Sequence, residues 1–94
     1  MAIADVLKAA GLYEKAQQGK RITAELQKQC HPTDEGFGAL VRNLSEEDFE
    51  AFVIYKAHIV LHACQYSNED MAKYLPRSIK NSRTQYMKDY GRAK

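Results

Sequence analysis

The 94-residue sequence has no tryptophan, only two cysteines and two prolines, and no long apolar run. A transmembrane helix needs about 20 apolar residues in succession, so we expect no membrane-spanning helix. Small secreted domains rely on several disulfides, and Cys30 and Cys64 are too few for such a framework, so we interpret both as reduced thiols. Residues 1–20 hold no basic stretch ahead of an apolar block, which argues against a signal peptide and predicts a cytoplasmic protein.

The sequence is also poor in features that catalysis requires. A chain this short buries roughly 60–65% of the surface that its unfolded form exposes, which leaves little room for an enclosed substrate cavity. Glycine-rich phosphate loops are absent, because the Gly-Phe-Gly run at 36–38 is too short to form one. We therefore predict one domain, residues 1–94, with no enzymatic activity and no cofactor.

The net charge of +2 is small, but the charges are distributed unevenly along the chain. Residues 73–94 carry seven basic residues and one acidic residue, whereas residues 1–72 carry seven basic and eleven acidic residues. A field of one sign steers partners of the opposite sign, and nucleic acid is the commonest partner of a basic patch. The basic tail end of the chain therefore indicates a nucleic-acid partner.

The placement of glycine, proline and capping residues predicts an all-α fold, a compact bundle of five to six helices. No segment alternates with the period of two that marks a strand. Apolar residues recur at helical spacing in the N-terminal part, and glycine or proline separates the segments. The expected helices there are residues 2–10, 20–29 and 33–44, with a further turn at 12–18. Gly11, Gly19 and Pro32 bound these segments, and Thr33 is the N-cap of the last.

Ser45 is the strongest helix start in the sequence, because three acidic residues follow a serine that can cap the first turn. The helix from about Glu46 to Gln65 is apolar on almost every side, as is typical of a helix buried on several faces. We expect Cys64 to be a small core residue as well. The predicted core stripe of this helix is Phe49, Phe52, Val53, Val60 and Ala63.

Two further helices are predicted after residue 66. Ser67 begins the first, which ends at Pro76. Ser78 caps the second, which ends at Gly91. Together with the central helix they would form a tri-helical unit over residues 45–94, while the helices of residues 1–44 would supply a dimer or partner surface.

Residues 67–86, SNEDMAKYLPRSIKNSRTQY, resemble the helix-turn-helix of DNA-binding proteins. The acid, aliphatic, alanine and leucine of the bacterial regulator pattern are matched, and the run at 75–78 is similar to the Myb/SANT form. The sequence departs from the bacterial pattern at Pro76, in place of the turn glycine, and at Ser82, where the family buries an aliphatic side chain. The matching residues are Asp70, Met71, Ala72, Leu75 and the capping Ser78.

The resemblance implies that the last helix reads duplex DNA. Arginine, asparagine and glutamine hydrogen-bond base edges, so we expect Arg83, Gln85 and Asn81 to face the major groove. Lysine, threonine and a further arginine suit phosphate contacts. The complete set of predicted DNA-binding residues is Arg77, Lys80, Asn81, Arg83, Thr84, Gln85 and Lys88.

Histidines and tyrosines offer two other kinds of site. His58 and His62 have the spacing of two ligands on one helix face, but there is no paired-cysteine motif, and we predict no metal site. Tyrosines interleaved with basic residues can stack bases, although at helical spacing they more often line a core or a protein interface, which we expect here. The candidate metal ligands are Cys30, His31, His58 and His62; the tyrosines are Tyr66, Tyr74, Tyr86 and Tyr90.

Two functions from different classes fit these features. The first is a small DNA-binding regulator of bacterial, phage or plasmid type, acting as a homodimer because palindromic operators need two-fold proteins. The alternative is a non-enzymatic inhibitor or adaptor that binds a host protein through a charged surface. That surface would be the basic tail or the acidic set Glu46, Glu47, Asp48 and Glu50.

Overall fold

The computed structural model describes residues 2–31 and 35–91, which form five α-helices and no strand. The all-α prediction is confirmed, and none of the described helices is long and apolar enough to cross a membrane. Pro32, Thr33, Arg92 and Lys94 lie outside the described residues. The helices are α1 (Ala2–Ala9), α2 (Tyr13–Gln29), α3 (Glu35–Arg42), α4 (Glu46–Ala63) and α5 (Asn68–Asp89).

Several helix boundaries follow the predicted caps. The Ser45 hydroxyl accepts a hydrogen bond from the backbone N–H of Asp48 at 3.1 Å, and the Ser67 hydroxyl accepts one from Asp70 at 3.2 Å. Gly11 and Gly91 have positive φ angles of 74° and 67°, the conformation that glycine adopts after a helix end. The predicted starts of α4 and α5 and the ends of α1 and α5 are therefore confirmed.

Helix α4 forms the centre of the core, and α2 and α5 pack against it. Phe49, Phe52 and Val53 are buried as predicted. Val60 is 51% exposed, however, and Ala63 and Cys64 are also exposed, so their assignment to the core is wrong. The apolar character of α4 continues past the region that its neighbours cover, and periodicity alone does not show where that cover ends.

Helix α2 is continuous through Gly19, where the sequence predicted a break. A β-carbon on Gly19 would overlap the carbonyl oxygen of Ala51 and lie 2.7 Å from Cβ of Tyr55. Glycine therefore stands here because the backbones of α2 and α4 approach closely, not because the helix ends. The Thr23 hydroxyl, which is buried, donates to the Gly19 carbonyl at 2.8 Å within α2.

Helix α5 is also continuous, and the predicted break at Pro76 is wrong. Pro76 lies inside a single 22-residue helix, and Ser78 does not cap a new one. The Ser78 hydroxyl instead donates to the carbonyl of Ala57 in α4 at 3.3 Å. The described part of residues 45–94 thus contains two helices, and the turn that separates the two helices of a helix-turn-helix does not occur between Asn68 and Asp89.

Replacing Gly19 tests the close contact of α2 with α4. Glycine to alanine inside a helix normally stabilises by about 1 kcal/mol. We expect Gly19→Ala to lower the free energy of unfolding by about 2 kcal/mol or more, because the new methyl group meets backbone atoms that cannot move aside. Urea denaturation measures the effect. Gly38→Ala is the matched control: its β-carbon would lie 3.4 Å from the Tyr90 ring, an ordinary contact, and it should be neutral or stabilising.

Replacing Pro76 tests the continuity of α5. A proline inside a helix removes one backbone hydrogen bond and costs roughly 3 kcal/mol. We expect Pro76→Ala to raise the free energy of unfolding by about 1–2 kcal/mol in urea denaturation, since the more flexible unfolded chain offsets part of the gain. A loss of stability would instead indicate that the proline belongs to a turn.

Candidate nucleic-acid interface

The outward face of α5 carries a row of cations along most of its length. Lys73, Arg77, Lys80, Thr84 and Lys88 recur at spacings of three or four residues, and all five are exposed. Residues at this spacing lie on one side of a helix, and the row extends over about 22 Å at 1.5 Å per residue. We call these five residues the basic stripe. Four of them, all except Lys73, belong to the predicted DNA-binding set.

The charges of the basic stripe are not neutralised by the rest of the described structure. The two ion pairs among the described residues join Lys15 to Glu47 and Arg83 to Glu50, and neither pair includes a residue of the stripe. The nearest acid in sequence, Asp89, accepts a hydrogen bond from the Gln85 amide at 2.8 Å. The stripe therefore presents four cations to solvent. Acidic residues flank it on α5, Glu69 and Asp70 before Lys73 and Asp89 after Lys88, so the field of one sign is confined to the stretch between them.

Arg83 occupies a different environment from the stripe. Its guanidinium donates two hydrogen bonds to the Glu50 carboxylate of α4, one from Nε at 2.9 Å and a shorter one from Nη2. These bonds raise the pKa of Arg83 above its ordinary value. The side chain is 35% exposed. The structure thus places Arg83 between α4 and α5, where its guanidinium N–H groups already bind a carboxylate.

Asn81 and Gln85 lie on the flank of α5 that faces the end of α4, beside a groove of about 490 Å³. The wall formed by α4 includes Val60, and tyrosine side chains lie toward both ends of the groove, which is open to solvent. We call it the aromatic groove. Its lining residues are Val60, Leu61, Tyr66, Tyr74, Arg77, Ser78, Asn81, Ser82, Gln85 and Tyr86.

Tyr66 and Tyr74 form the aromatic end of this groove. Their ring centroids are 5.4 Å apart with an angle of 46° between the planes, and Tyr66 is 42% exposed. The ammonium group of Lys73 lies 5.6 Å from the Tyr74 ring centroid. At the other end, Tyr86 is half-buried beside Phe52, and burial raises the pKa of its phenol.

Comparison of the chain with protein-family models, with curated proteins and with solved structures finds no match. The function must therefore be inferred from the geometry of the basic stripe and the aromatic groove. The DNA-binding residues predicted from the sequence did not include Lys73 and Val60, which belong to this surface. A helical projection of residues 68–89 as one helix would have aligned Lys73 with Arg77 and Lys80, but the expected stop at Pro76 separated them.

The four candidate metal ligands do not form a metal site among the described residues, where no three His, Cys, Asp or Glu side chains come together. Cys30 and Cys64 do not form a disulfide with each other, and Cys64 and His62 are exposed. His58 packs edge-on against the Tyr55 ring at 5.3 Å, and its buried Nδ1 has no hydrogen-bond partner among the described residues. Burial lowers the pKa of His58 below 6.5, and the nearby His62 and Lys20 lower it further.

The lowered pKa of His58 predicts a pH dependence of stability. The unfolded chain binds this proton more readily than the folded chain. The contribution is therefore complete above pH 6.5 and is lost as the pH falls through the lower pKa of the folded state. We expect the urea midpoint to decrease between about pH 7.5 and about pH 5.5.

The variant His58→Gln should show a smaller decrease over the same pH range, because its side chain does not titrate. His62→Gln is the control: it removes a neighbouring histidine that is exposed, and most of the decrease should remain. Equal pH dependence in the wild type and His58→Gln would assign the effect to other groups.

Proposed function

We propose that this protein binds DNA through the phosphate backbone, with the basic stripe of α5 as the contact surface. The observation that carries the proposal is the row of four exposed, unneutralised cations over about 22 Å of one helix. Contacts from lysine and arginine to phosphate release condensed counterions, which supplies most of the free energy of non-specific binding. Thr84, in the same row, can donate to a phosphate oxygen.

The geometry favours phosphate contacts over the reading of base edges in duplex DNA. Arg83, the residue best suited to recognise guanine, already binds Glu50 through two hydrogen bonds. Asn81 and Gln85 line the aromatic groove on the flank of the helix. We therefore propose binding with weak sequence preference. The sequence favours a more specific form of this function, a homodimeric regulator of transcription or copy number of bacterial, phage or plasmid type in the cytoplasm. That form needs base contacts beyond the phosphate contacts that the stripe offers.

A second candidate is a protein-binding adaptor or inhibitor. Exposed apolar side chains near the end of α4 favour it, because Ile59 is 39% and Val60 is 51% exposed. Large apolar side chains exposed close together can contribute to a protein interface. The acidic first turn of α4 would offer a charged surface to the same kind of partner. A folded protein that binds no DNA at low salt would support this function over the first.

Removal of stripe cations tests DNA binding directly. Fluorescence anisotropy with a labelled mixed-sequence duplex gives the affinity at salt concentrations between about 50 mM and about 200 mM. We expect the double variant Arg77→Gln/Lys88→Gln to weaken binding and to flatten the slope of log affinity against log salt by about two units, one for each lost phosphate contact.

The matched control combines Arg21→Gln with Lys28→Gln, which likewise removes one arginine and one lysine, both exposed on α2 outside the stripe. It should leave the salt slope almost unchanged. Lys80 is less suitable for this test, since it also lines a cleft between α1 and α5. Equal losses in the control and the stripe variant would show that net charge, rather than the stripe, determines binding, and would contradict the proposal.

A further inference from the structure

The aromatic groove lies directly beside the basic stripe, and Arg77 belongs to both. Its wall on α5 contains Ser78 and Ser82, whose small side chains leave space between α5 and the end of α4. Ser82 occupies the position where a helix-turn-helix would bury an aliphatic residue, and an aliphatic side chain there would fill the groove. The groove therefore exists because small residues stand on the flank of α5 next to an uncovered Val60.

The groove combines the groups that bind an unpaired base. Tyr66 offers an exposed ring for stacking, and Val60 offers an apolar contact on the opposite wall. The side-chain amide of Asn81 supplies a donor and an acceptor, the pattern that the edges of a base require. The Gln85 amide donates one N–H to Asp89, which leaves its second N–H and its carbonyl oxygen for a base. A duplex hides these base edges and faces, whereas a single strand exposes them.

We propose that the aromatic groove receives one unpaired nucleobase of a strand whose phosphates lie along the basic stripe. The protein would then prefer single-stranded over duplex DNA. This proposal rests on the phosphate binding proposed above and adds the form of the ligand. Stacking on an aromatic ring tolerates every base, so the preference concerns strandedness rather than sequence.

Charge favours a nucleic-acid strand over a peptide in this groove. None of the described residues that line it is acidic, Arg77 is one of them, and the ammonium group of Lys73 lies near the Tyr74 ring. A ligand that enters must therefore place negative charge along α5 and a flat, polar-edged ring between α5 and α4. A polynucleotide strand carries one phosphate and one base in every nucleotide, so it supplies both groups side by side.

The test compares affinities for a labelled oligothymidylate and for a mixed duplex of equal length in the wild type and in Tyr66→Leu. Leucine retains an apolar side chain but removes the ring. We expect Tyr66→Leu to weaken single-strand binding by about tenfold and duplex binding by less than about twofold. Because the protein contains no tryptophan, tyrosine fluorescence can report stacking directly, and oligothymidylate should quench it in the wild type more than in the variant.

Two further variants separate the possible outcomes. Ser82→Leu should fill the groove and reproduce the loss of single-strand binding, and thermal unfolding followed by circular dichroism establishes that each variant is folded. Lys88→Gln should weaken the binding of both ligands to the same extent. If Tyr66→Leu and Ser82→Leu leave the ratio of the two affinities unchanged, the base site is refuted while phosphate binding stands. If the wild type binds neither ligand at low salt, the proposed function fails, and this proposal fails with it.

Discussion

The packing of α5 against α4 is the constraint on which the surface of this protein depends. Met71, Leu75 and Ile79 form a buried row that extends on both sides of Pro76. Burial of each such side chain contributes about 1.5–3 kcal/mol, and together they exceed the roughly 3 kcal/mol that a proline costs inside a helix. The helix therefore continues through Pro76. Because it does, the four cations of the basic stripe fall on one face instead of being divided between two helices at an angle.

The same packing explains why a groove opens at one end of the bundle. Large residues cover the core-facing side of α5, whereas two serines stand on the flank beside the end of α4. The Ser78 hydroxyl donates to the Ala57 carbonyl, and Ser82 lines the groove. Helix α4 keeps its apolar sequence over this region, so Val60 remains 51% exposed. The small side chains of Ser78 and Ser82 thus leave the apolar wall of α4 exposed beside the basic stripe of α5.

The sequence predicts local features well and tertiary ones poorly. The caps at Ser45 and Ser67 and the glycine at 91 depend on neighbouring residues, and the structure confirms them. The breaks expected at Gly19 and Pro76 are wrong because contacts between helices decide both positions: a close backbone approach in one case and a buried row in the other. The pairing of Arg83 with Glu50, 33 residues away, likewise has no signal in the local pattern.

The pair of Arg83 and Glu50 also divides the cations of α5 into two groups with different physical roles. Glu50 holds Arg83 against α4, where the ion pair is half-exposed and joins the two helices. The remaining cations face water, where screening by salt weakens their action on any distant charge. Affinity that arises from the stripe must therefore depend steeply on salt, whereas contacts inside the aromatic groove depend on shape and stacking and respond little to salt. A ligand that contacts both surfaces would gain affinity from the basic stripe and selectivity for unpaired bases from the aromatic groove.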